Sequence, residues 1–169
     1  MNKICGIATV ALLIIGCASK KKEPQFDKVI FHTSKCFGTC PEYHLEINDN
    51  KEIKLFIEKA YIKRTLDTSK IGYYKGKLGN ETYDELTNLI KTIDLQKSGI
   101  IEPKQEPNTI TNNEGTQLSV LLYNNKKRKP IIYIYPAGHW RKLMKFVYEV
   151  AADDKLIKTT EKLNIEAFN

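Results

Sequence analysis

The chain has 169 residues, with 27 basic and 20 acidic side chains and a formal net charge of +7. That length fits one ordinary domain of roughly 100–200 residues, and neither an internal repeat nor a low-complexity tract interrupts it. The lysines are scattered along the chain and not gathered into one basic tract, so the excess charge by itself does not argue for a nucleic-acid partner.

The first element is a targeting segment. Lys3 supplies a positive start, and residues 4–15 are apolar and uncharged. As a helix that run spans only ~18 Å, against the ~30 Å hydrocarbon core of a bilayer, so it predicts a signal peptide and not a membrane span. The run ends in Leu13-Ile14-Ile15-Gly16-Cys17, which resembles the bacterial lipobox. The resemblance implies a diacylglyceryl group on Cys17, cleavage before it and acylation of the new amino terminus with palmitate-type chains, an effectively permanent anchor. The competing reading is an ordinary secretory signal that ends at a cysteine. Residues 1–16 are thus expected to be the signal, 17–27 the lipidated cysteine and a flexible tether, and 28–169 a single α+β domain. Ala18 is not aspartate; by resemblance to Gram-negative lipoproteins this implies delivery to the outer membrane. Lys20, Lys21 and Lys22 lie near the anchor, where they keep the tether solvated or rest on anionic head groups.

After the tether, residues 28–34 are β-branched and aromatic and predict a first strand. A loop around Gly38 follows. From Pro41 the alternation is regular, with Tyr43, Leu45 and Ile47 on one face and Glu42, His44 and Glu46 on the other. Residues 48–50 (Asn, Asp, Asn) are turn chemistry leading to a return strand over 52–57. Residues 60–66 and 71–78 predict further strands. Asn80 is a plausible N-cap for a helix carrying Tyr83, Leu86, Ile90 and Ile93 on one stripe. Residues 99–115 show no period and predict a long irregular loop. Residues 117–123 and 130–135 predict a second hairpin across Asn124 and Asn125, with Lys126, Lys127, Arg128 and Lys129 as a basic tip. Leu143, Phe146, Val147 and Val150 mark a second helix starting near His139, and Leu156, Leu163 and Phe168 pin a short tail. The predicted fold is an antiparallel sheet of hairpins with two amphipathic helices packed on one face.

Cys36 and Cys40 are the only cysteines left once the signal and the lipid are accounted for. In an exported protein the simplest fate is a disulfide closing the loop around Gly38, whose backbone freedom permits the close Cα approach. Two alternatives remain open: a metal site using Cys36 and Cys40 with His32 or His139, and thiol redox chemistry by the pair. The spacing Cys36-x3-Cys40-x3-His44 resembles the binuclear copper loop of cytochrome oxidase subunit II, and the cysteines followed by Pro41 resemble copper chaperones of the Sco type. If 41–44 is strand, however, Cys40 and His44 lie ~13 Å apart at ~3.3 Å per residue, too far for one ion. A possible ligand face comprises Glu42, His44 and Glu46, with Trp140 as a further stacking or core residue. Phosphate-loop, nucleophile-elbow and zinc-protease motifs do not occur.

Cys36-Phe37-Gly38-Thr39-Cys40-Pro41, with Tyr43, the alternating strand after it and the element Gly72 to Gly76, resembles a family of uncharacterised Bacteroidota-type lipoprotein domains with a CFGTCP signature. The resemblance spans about residues 28–148 and implies no activity. The expected function is a non-enzymatic binding or assembly module at the bacterial envelope, needing no cofactor. Its expected partners are the membrane through the lipid and an envelope protein or glycan, and not nucleic acid. The alternative is a copper-binding or thiol-redox protein using Cys36 and Cys40.

Overall fold

The computed structural model describes residues 26–34, 36, 39–91, 99–101, 117–133 and 139–168. The signal, Cys17, most of the tether, Ile93 and residues 102–116 lie outside that set, so the expectations placed on them carry no structural description here.

Strand β1 (Lys28–Thr33) lies at the middle of an eight-stranded sheet. It pairs antiparallel on one side with β2 (Glu42–Asn48) and on the other with β8 (Leu118–Asn124). Outward from β2 come β3 (Glu52–Lys59), β6 (Gly72–Lys77) and the short edge strand β10 (Ile157–Thr159); outward from β8 come β9 (Lys127–Tyr133) and β7 (Gly99–Ile101). All pairings are antiparallel except β7 with β9. The sheet is flanked by helices α1 (Asn80–Lys91) and α2 (His139–Ala151). Among the described residues, no helix is long and apolar enough to cross a membrane.

One core cluster joins a single face of the sheet to both helices. Val29 and Phe31 of β1, Leu45 and Ile47 of β2, Leu55 of β3 and Leu118, Val120 and Leu122 of β8 belong to it, with Tyr83, Leu86 and Ile90 of α1 and Trp140, Leu143, Phe146, Val147 and Val150 of α2. In the strands these are alternate positions, and in the helices they recur at three and four residues, as burial of one side of each element requires. The turn from β2 to β3 is closed by the Asn48 side chain, which accepts from the Glu52 amide at 2.9 Å and donates to the Glu52 carboxylate. Between β8 and β9, Asn125 and Lys126 both take positive φ, of 50° and 61°, the two-residue geometry that matches strand twist.

Four parts differ from the sequence reading. The turn between β8 and β9 lies at Asn125 and Lys126 and not across Asn124 and Asn125, and Lys127, Arg128 and Lys129 already pair in β9 and are not a basic tip. Residues 60–66 do not form one strand. They fold into a separate two-stranded ribbon of β4 (Tyr61–Ile62) and β5 (Thr65–Leu66), reversed at Lys63 and Arg64, again both at positive φ. Gly99 to Ile101 is strand β7 and not the start of an irregular loop, because its backbone finds the free edge of β9 from Ile131 to Tyr133. Pro130 of β9, which has no amide to give, sits just outside that pairing. Finally, the tail after α2 does more than pin itself: it adds β10 to the edge at β6 and then crosses the second face of the sheet, as the next section details.

Candidate functional site

The face opposite the helices is where the chemistry-bearing side chains collect. His32 of β1 is the direct cross-strand partner of His44 on β2, His44 of Phe56 on β3, and Phe56 of Tyr73 on β6. Four neighbouring strands thus place four rings in one row perpendicular to the chain direction, as cross-strand neighbours on one face must lie. Ring centroids are 5.0 Å apart for His32 and His44, 5.6 Å for His44 and Phe56, and 4.5 Å for Phe56 and Tyr73, with the last two pairs stacked. Ser119 of β8 continues the row beyond His32.

Residues 160–168 run over this row as a strap. At one rim Lys75 of β6 binds Glu161 at 2.6 Å. At the other, the Glu166 carboxylate accepts from the Tyr123 hydroxyl at 2.6 Å and from Arg128 Nε at 3.0 Å, with Lys28 Nζ at 3.5 Å. Leu163 of the strap is buried, and the Phe168 ring meets His32 edge-on at 6.4 Å. Between strap and sheet lies a cavity of about 640 Å³ lined by His32, His44, Phe56, Tyr73, Ser119 and Leu163 among others.

His32 and His44 are linked by their Nδ1 atoms at 2.7 Å, and His44 Nε2 lies 3.1 Å from the Glu58 carboxylate. Two nitrogens that close share a single proton. They are also nearer than the ~3.3 Å separating two imidazole nitrogens bound ~2.0–2.1 Å from a tetrahedral ion. Burial, reinforced by the neighbouring His44, lowers the His32 pKa from 6.5 to about 4, while the carbonyl and charge of Glu166 push weakly the other way. His32 is therefore neutral at ordinary pH. Its Nε2 is buried and makes no well-aligned hydrogen bond among the described residues, the Glu166 carbonyl being its nearest polar influence. Glu166 is held below the usual carboxylate range, first by the Tyr123 hydroxyl.

The face read from sequence as Glu42, His44 and Glu46 is indeed one face, and it is partly covered, with His44 half-buried. Glu42 and Glu46 are buried polar residues, neutralised by Lys59 at 2.7 Å and Lys54 at 2.8 Å. Trp140 is on the other side, in the core with the helices, so the structure does not bring it to this face. Cys36 and Cys40 form a disulfide with Cα atoms 5.6 Å apart; in that state neither sulfur is a thiolate ligand. Thr33 stitches the loop to the sheet, donating to the Pro41 carbonyl at 3.0 Å and accepting from the Tyr43 amide at 2.8 Å. There β2 slips its register between Glu42 and Tyr43. Among the described residues, no group of three or more His, Cys, Asp and Glu is placed to hold a metal. His139 opens α2, and its side chain lies outside the described set. Phe56, Tyr73 and the strap were missed by the sequence reading. The signal available was the spacing: Phe56 is the in-register partner of His44 once the turn at 48–51 is fixed.

A mixed sheet with helices on one side and a strapped ring row on the other defines an α+β domain with a groove on its second face. The chain belongs to the family described as Domain of unknown function (DUF6438), which matches residues 27–151. No curated protein matches the chain. The family match ends at α2, before β10 and the strap.

Proposed function

We propose that this protein is a lipid-anchored bacterial envelope lipoprotein, of the Bacteroidota type with the Cys36–Cys40 signature, that binds a ligand non-enzymatically. On this reading its ligand site is the groove over His32, His44, Phe56 and Tyr73, and it is held at the outer membrane by lipid on Cys17. The observation that carries the binding role is the ring row itself, a cavity of about 640 Å³ roofed by a strap that is fixed chiefly at its rims. A cavity of this size, largely apolar with a few polar atoms, is what small-ligand and peptide sites have in common. The two helices, each with one apolar stripe, serve as the packed back of the sheet and leave the opposite face for recognition.

The test is native mass spectrometry of full-length protein released from membranes in mild detergent, comparing wild type with Phe56→Ala and Tyr73→Ala. A bound mass present in wild type and lost in both variants supports the groove. Identical spectra from all three, with the variants folded, contradict it.

A further inference from the structure

The strap already displays what kind of molecule fits the groove. It is an extended segment that reaches the sheet chiefly through side chains, with the Glu166 carbonyl also turned to His32: Leu163 is buried, Glu166 is taken by Tyr123, Arg128 and Lys28, and Phe168 packs on His32. Among the described residues, no backbone–backbone hydrogen bond joins 162–168 to the sheet, so the segment is held as a peptide ligand is held, by pockets and a carboxylate clamp. Two cations and a hydroxyl converge on that one carboxylate, and Lys28 also lies over the Tyr123 ring at 4.4 Å. The receptor for an acidic residue is therefore built into β1, β8 and β9, inside the family-matched stretch, whereas its occupant lies beyond it.

We infer that the groove is a docking site for an extended segment of a partner protein, carrying an apolar residue, an acidic residue three positions later and an aromatic two positions after that, which replaces the strap. This rests on the reading of the groove as the binding site. The strap follows directly on β10, which is itself paired with β6, so it competes at an effective concentration in the millimolar range. A partner segment gains access when the strap's own clamp is weakened.

The probe is a fluorescent peptide of residues 160–169, and the protein is the full chain, as wild type and as Glu166→Ala. The substitution loosens the strap of the protein but leaves the clamp residues and the peptide's own glutamate intact. Fluorescence anisotropy is expected to show the peptide binding Glu166→Ala about tenfold or more tightly than wild type, the affinity regained when a competing state is removed. A peptide with its glutamate replaced by alanine, and an Arg128→Glu protein, should each lose most of that binding. Equal affinity for wild type and Glu166→Ala, or no binding to a folded Glu166→Ala, overturns the inference. A concentration-dependent dimer of wild type in sedimentation, abolished by the peptide, also overturns it by making a second copy the occupant. If the peptide fails while Phe56→Ala still loses the mass bound by wild type, the groove remains a ligand site and only the peptide assignment falls.

Discussion

His32 is a histidine placed where its charge is unwelcome, and that has a measurable consequence. Its pKa falls from 6.5 to about 4 in the folded protein, so between those values the unfolded chain binds the extra proton. The stabilisation from the neutral ring is fully present above pH 6.5, shrinks as pH falls toward 4, and amounts to at most about 3 kcal/mol. Urea unfolding followed from pH 7 to pH 4 should show that loss, and His32→Phe, which keeps a ring on Phe168, should flatten it in this window. Glu166, held below the usual carboxylate range by Tyr123, adds a loss at lower pH that His32→Phe does not remove. At the other end of the strap clamp, Tyr123→Phe deletes one hydrogen bond to a charged acceptor and should cost about 1.5–3 kcal/mol at most, less for its partial exposure, read from the same denaturation curves. The polar nature of this face was legible from the alternation of Glu42, His44 and Glu46. Its burial was not, because burial came from residues more than a hundred positions away in the chain.

Among the elements, the loop between β1 and β2 is closed by Cys36 and Cys40, with Thr33 bonded to Pro41 and Tyr43 at the start of the strand that follows. A ring this short restricts the unfolded chain modestly, so reduction should lower stability by about 2 kcal/mol while leaving a cooperative transition. Differential scanning calorimetry with and without dithiothreitol checks it; unfolding on reduction at room temperature would contradict it. The strands β1, β2, β3, β8 and the two helices were readable because each carries its own period and its own stop signal. The second hairpin was readable, but its turn lies one residue beyond the Asn124 and Asn125 read from sequence, because Lys126 as well as Asn125 takes positive φ. Lys63 and Arg64 adopt the same backbone without any residue that announces it, so the ribbon of β4 and β5 was hidden in what looked like one strand. Strands β7 and β10 were also hidden. Each has three residues and exists only because an edge of the sheet is there to receive it, which is tertiary context overriding a weak local pattern.

For the whole molecule, the account gives each side of the sheet a separate task. One side is filled by the helices and makes the core, and the other is kept for the ring row and its strap. The expected lipid on Cys17 sets where that second side works: Cys17→Ser should move the protein from the membrane pellet to the soluble fraction, and continued sedimentation with membranes would contradict the anchor. The central claim is that the row from His32 to Tyr73 is a covered groove and not a solvent surface. The most direct measurement is an NMR titration of the imidazole signals of the full chain. The account predicts that His32 stays neutral until the pH approaches about 4. A His32 that titrates near 6.5, as a hydrated histidine does, would mean that the strap does not close over this face, and the groove would have to be given up.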